Sequence, residues 1–176
     1  MKKLLFCLLL IMSFVLFAGC GSSKPAAEGK TNTAPAEVDE SLVVINGLEF
    51  HLDKEGSFNG LNYIIPSDFA EAEHPVYVQY SYRQEDGVNL LFYRVFAYPG
   101  KDITYAINDL GLDANIPLTD GKTDNIEYKV YEEPRDDGGT IHFYFIDHGD
   151  TFYTLNFVSK YDIQDFEQKV LNSVKF

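Results

Sequence analysis

Arg94 is the residue whose setting most demands a chemical explanation. It stands inside the apolar run Leu90-Leu91-Phe92-Tyr93-Arg94-Val95-Phe96, and the chain has only three arginines. A guanidinium stays charged at any physiological pH, and enclosing it without a partner is strongly unfavourable. It therefore needs an internal carboxylate or the anion of a ligand, and its planar fork suits both. Pairing this run with residues 76–83 across an Asp86-Gly87 turn sets Arg94 opposite Gln79 and near Tyr77. Arg94, Tyr77 and Gln79 are the candidate ligand-binding residues.

Oxygen ligands are the second possibility. If the strand around residues 125–132 runs back beside the one at 140–146, Asp124 comes near the turn that carries Asp147, His148 and Asp150. Asp124, Asp147 and Asp150 then form a candidate metal corner of the type that takes Ca²⁺ or Mn²⁺. The alternative is a solvated turn kept soluble by charge. Asp136-Asp137 lies at the other end of the same strand, more than about 20 Å away, and cannot share the ion. Other chemistry is missing. The four histidines, His51, His74, His142 and His148, fall on different elements without zinc-ligand spacing. There is no G-x-S-x-G, S-x-x-K, H-E-x-x-H or Gly-rich phosphate loop. The stretch Asp120-Gly121-Lys122-Thr123-Asp124 puts a lysine where a calcium loop needs its second ligand. No catalytic residue and no cofactor is expected.

Cysteine chemistry is confined to the start of the chain. Cys7 and Cys20 are the only cysteines, so the body holds no disulfide, thiolate metal site or cysteine nucleophile. Lys2 and Lys3 precede an apolar run from Leu4 to Ala18, broken only by Ser13, as in a secretory signal. A transmembrane helix needs about 20 apolar residues, and Gly19, Gly21, Ser22 and Ser23 end this run too early. The stretch Leu16-Phe17-Ala18-Gly19-Cys20 resembles a bacterial lipobox, with Phe17 where leucine is commonest. The resemblance implies that residues 1–19 are a lipoprotein signal peptide and that Cys20 becomes the acylated first residue. Two or more acyl chains anchor stably where one is marginal. The expected partner is thus the membrane, reached through acyl chains on Cys20, with the protein on the extracytoplasmic face. Residues 20–40 then hold the lipidated cysteine and a flexible linker, rich in Gly, Ser, Ala, Pro and Thr, spanning about 25 Å.

Residues 41–176 are expected to form a single extracytoplasmic domain. The chain is 45% hydrophobic and 15% aromatic, which excludes a disordered polymer. Its net charge of −13 has the wrong sign for a nucleic-acid partner. Asn46-Gly47, Asp86-Gly87 and His148-Gly149 each suggest a hairpin. The last one is assigned a three-residue Asp147-His148-Gly149 loop, which sets Ile141 against Leu155 and Phe143 against Tyr153. Asp102 caps a helix that ends at Gly111, and Asp162 caps a final one with Ile163, Phe166, Val170 and Val174 on its core side. The expected fold class is α+β, an antiparallel β-sheet of hairpins with two packed helices.

The Tyr63-Ile64-Ile65-Pro66 strand, the run of hairpins and the closing helix leading into Ser173-Val174-Lys175-Phe176 resemble the PsbP-like domains. That family implies an α/β/α sandwich, includes bacterial extracytoplasmic lipoproteins, and carries over no catalytic residue. The functional expectation is a lipid-anchored, non-catalytic binding or adaptor module for an unidentified protein or small ligand. The tyrosines on strands 76–98 and 126–131 either fill the sheet or line an aromatic cleft for a glycan or peptide. The alternative is an extracytoplasmic hydrolase whose carboxylate site has no sequence signature.

Overall fold

The computed structural model describes residues 39–85, 87 and 89–176. Cys7, Cys20, the apolar run and the linker as far as Val38 lie outside the described residues. Strands β1 (Leu42–Ile45), β2 (Leu48–Phe58) and β3 (Leu61–Pro66) form one antiparallel sheet. A seven-stranded sheet is built from β4 (Ala70–His74), β5 (Tyr77–Arg83), β6 (Asn89–Pro99), β7 (Thr119–Lys122), β8 (Glu127–Pro134), β9 (Thr140–His148) and β10 (Thr151–Ser159). Its order is β4-β5-β6-β10-β9-β8-β7, with every pairing antiparallel. Helix α1 (Ile103–Asp109) follows β6 and helix α2 (Gln164–Ser173) closes the chain.

The α+β expectation, and the α/β/α sandwich implied by the PsbP-like resemblance, are corrected here: the fold is 55% strand and 12% helix, with ten strands in two sheets. The reason lies in residues 42–66. Asn46 (φ 51°) and Gly47 (φ 77°) turn β1 into β2, and Asn59 (φ 49°) and Gly60 (φ 94°) turn β2 into β3. Such consecutive left-handed residues match the right-handed twist of a hairpin. The second Asn-Gly pair, unread in the sequence, joins the expected Asn46-Gly47 hairpin and Tyr63–Pro66 strand into a separate three-stranded sheet. The helices themselves span only 7 and 10 residues.

Both faces of the large sheet are covered. Against its inner face lie Val43, Ile45, Phe50, Leu61, Tyr63 and Ile65 of the small sheet, with Phe166, Val170 and Leu171 of α2 and Val174 just after it. Each such fully buried side chain contributes roughly 1.5–3 kcal/mol. On the outer face, Ile103, Ala106, Ile107 and Leu110 pack over Phe96, Tyr98, Phe143, Phe145 and Phe152. Asp102 caps α1 by accepting the Tyr105 N–H at 2.9 Å, and Gly111 at φ 71° follows its end. At α2 the cap position is Ile163, while Asp162 accepts the Gln164 N–H at 3.1 Å just outside it.

Two hairpin registers bear on the candidate sites. Between β5 and β6 the expected pairs hold from Tyr77 opposite Phe96 to Tyr82 opposite Leu91. The register then slips, so Arg83 faces Asn89 and not Leu90, and Leu90 and Leu91 are both fully buried. The Arg83–Leu90 pair that a two-residue turn requires is thus replaced, and Asp86 of that expected turn lies outside the described residues. Between β9 and β10 the three-residue loop is also corrected. His148 pairs Thr151 across Gly149-Asp150, placing Phe143 opposite Asn156 and Ile141 opposite Val158. β10 is buried along nearly its whole length, so the polar-out alternation that pins a register is missing from it.

Candidate functional site

Arg94 leaves the outer face of the large sheet between Gln79 on β5 and Asn156 on β10. Its Nε donates to Gln79 Oε1 at 2.8 Å. The guanidinium carbon lies 5.4 Å from the Tyr77 ring centroid and 5.2 Å from that of Phe92, so two aromatic faces flank the charge. Tyr77 is held by stacking on His74 at 4.6 Å and by Phe96 at 5.0 Å. The three candidate ligand residues are therefore one constellation. Among the described residues Arg94 forms no ion pair, and Nε makes its only side-chain hydrogen bond. Beside it, Asn156 is 6% exposed and its Oδ1 has no partner among the described residues. The internal carboxylate that would explain Arg94 structurally is not among its described neighbours.

A small cavity of about 230 Å³ adjoins this shelf, reaching from Phe92 and Val158 to Arg135, Asp137 and Lys160. Arg135 grips Asp137 with two hydrogen bonds, 3.0 and 2.9 Å. With the Gly139 N–H, that pairing holds the Asp137 carboxyl at a pKa of about 2. A Cβ on Gly139 would come within 2.4 Å of the Ser159 carbonyl oxygen, so only glycine lets the β8–β9 turn press against the end of β10. Asn89, opposite Arg83, also lines the cavity. Arg135 and Lys160 thus border a cavity that shares Phe92 with Arg94, in a chain of net charge −13.

A larger cleft, about 770 Å³, lies by the N-terminal end of α1. Ile103, Phe145 and Phe152 give it an apolar floor, and Asp102, Asp120, Glu127 and Asp147 stand around it with Lys122 and Lys129. All four carboxylates are exposed, and Lys129 is paired with Asp120. Of the candidate metal corner only Asp147 is here. Asp124 borders a separate surface hollow with Thr123, Asn125 and Asn172, while the Asp150 carbonyl accepts the Gly100 N–H at 2.7 Å. Among the described residues no group of three His, Cys, Asp or Glu side chains could hold a metal ion. His148 stacks on the ring of Phe176.

One polar centre escaped sequence reasoning. Glu167 on α2 is 1% exposed and receives hydrogen bonds from His142 Nδ1 at 2.7 Å and from the Tyr144 hydroxyl at 2.8 Å. The bond to Glu167 raises the His142 pKa against the effect of burial, and burial pushes the Tyr144 phenol far above its ordinary value. The signal was available: Glu167 is four residues after Ile163 and three before Val170, inside the helix stripe that faces the sheet.

A comparison with protein-family models finds no match, and none is found among curated proteins. Among solved structures, a protein from Bacteroides thetaiotaomicron VPI-5482 is similar at TM-score 0.46 and 17% identity, over 65% of this chain and 44% of its own. The likeness spans less than half of that protein and carries no inference about this one.

Proposed function

We propose that this chain is a lipid-anchored extracytoplasmic binding module, tethered through Cys20 and holding its ligand on the outer sheet face around Arg94. One observation carries the reading. Arg94 is positioned by Gln79, Tyr77 and Phe92, yet it has no carboxylate partner among the described residues. The hydrolase alternative requires a carboxyl held protonated by an apolar setting. The carboxylates around the large cleft are all solvent-exposed, which is the opposite setting.

The test is a thermal-shift survey of the purified full chain against organic acids, amines, sugars and short peptides. A ligand that binds only the folded state raises the melting temperature as its concentration exceeds Kd. The reading expects at least one class to stabilise the wild type and not Arg94→Ala. If every class leaves both proteins unchanged, or shifts both alike, the reading fails. For the anchor, Cys20→Ala should leave the membrane fraction or accumulate as unprocessed precursor, and wild-type fractionation of the variant would overturn lipidation at Cys20.

A further inference from the structure

We infer that the shelf and its adjoining cavity form a site for a small organic acid carrying a single ring or branched apolar group, its carboxylate on Arg94 and its apolar group in the cavity beside Phe92 and Val158. The inference rests on the Arg94 reading above and names the ligand class for that site.

Three independent observations converge on it. The first is charge. Arg94 keeps its terminal nitrogens without a partner among the described residues, and these are the atoms that meet a carboxylate in a two-bond fork. The charges bordering the cavity bear on the same point. Asp137, the carboxylate bordering the cavity, is already bound by Arg135, whereas Lys160 forms no ion pair among the described residues. Arg94 beside the cavity and Lys160 on its border are thus cations without an ion-pair partner among the described residues, and such charges attract an anion.

The second is size. Ligand pockets for drug-sized molecules occupy about 300–1,000 Å³. At about 230 Å³ the cavity falls below that range, which excludes an extended chain or an oligosaccharide inside it and leaves room for one ring or a branched aliphatic group. The close approach of Gly139 to Ser159, which no larger residue would allow, sets the position of the β8–β9 turn on that side.

The third is continuity between charge and cavity. Phe92 belongs to both, since its ring lies beneath the Arg94 guanidinium and its side chain borders the cavity. A carboxylate on Arg94 therefore delivers whatever it is attached to onto Phe92 and Val158.

Equilibrium dialysis of the full chain with phenylacetate, phenylacetamide and acetate tests this. Phenylacetate should bind about tenfold or more tightly than phenylacetamide, which lacks the charge, and than acetate, which lacks the ring. Arg94→Ala should abolish the preference for the acid over the amide. Arg94→Lys, which keeps the charge and loses the fork, should retain part of it. Phe92→Ala should weaken acid and amide alike. Equal binding of acid and amide overturns the charge assignment, and equal binding of phenylacetate and acetate overturns the cavity assignment. Undiminished phenylacetate binding by Arg94→Ala, or none by the wild type at millimolar concentration, overturns the inference. The wider binding reading survives that last result if another class in the thermal survey depends on Arg94, so the two failures are distinguishable.

Discussion

Two charged side chains press against opposite faces of the seven-stranded sheet, and the fold treats them in opposite ways. Glu167, on the inner face, is sealed from water and saturated by His142 and Tyr144. Arg94, on the outer face, is half-buried and holds one neutral acceptor, with its remaining donors uncommitted among the described residues. The difference separates two uses of buried charge. A carboxylate enclosed with two donors fastens α2 to β9, and removing one member strands the others. A guanidinium seated on aromatic rings, aimed along a shelf that opens beside a cavity, has little to lose when truncated and donors to offer a ligand.

The largest expected effect is therefore on the inner face. Glu167→Ala strands the buried Tyr144 hydroxyl and removes the partner of His142, at a cost of about 3–5 kcal/mol in denaturant unfolding. Glu167→Gln keeps an acceptor for Tyr144 and should lose less than half as much. If both variants unfold like the wild type, the network is incidental and the contrast between the faces disappears.

That network was also the least legible part of the chain. The α2 stripe was visible from Ile163, Phe166, Val170 and Val174, but a glutamate reads as solvent-facing unless a partner is known, and His142 lies 25 residues earlier. By contrast, the contact of Arg94 with Gln79 and Tyr77 was readable, because it depends on one local hairpin whose alternating residues fix the pairs nearest Arg94. The register of β9 with β10 was not readable for the converse reason. Thr154, Asn156 and Ser159 are buried beside apolar neighbours, so no polar face marks the strand. The cations Arg135 and Lys160 were invisible as parts of a site, since only the fold brings the β8–β9 turn against the end of β10.

A second way to sharpen the contrast is pH. The folded-state pKa of His142 is raised above its ordinary value of 6.5, chiefly by the bond to Glu167, with Glu132 and Asp162 adding to it. A raised pKa means that the folded form binds the proton more tightly than the unfolded one. The resulting stabilisation is complete below about pH 6.5 and is lost as pH rises through the folded-state value. The stability gap between wild type and His142→Gln should thus be widest in mild acid and narrow in alkaline solution, followed by urea unfolding across that range. A gap that widens with pH would reverse the sign and remove the ion-pair assignment.

The smallest effect is expected on the outer face, and its smallness is the informative result. Arg94→Ala loses one hydrogen bond to Gln79 and two contacts with aromatic rings in a partly solvated setting. Interactions of these kinds at half-exposed sites contribute about 0.5–1 kcal/mol each when well formed, and truncation also frees side-chain entropy. The net change should stay within about 1 kcal/mol, well below that of Glu167→Ala. The comparison requires one buffer for both variants, low in organic acids, because a ligand bound at Arg94 would stabilise the wild type alone and mimic a structural role. Adding phenylacetate should then open a gap between wild type and Arg94→Ala that its absence does not show. A loss comparable to that of Glu167→Ala in clean buffer would mean that an internal carboxylate holds Arg94 after all, and the outer face would join the inner one as a device of the fold.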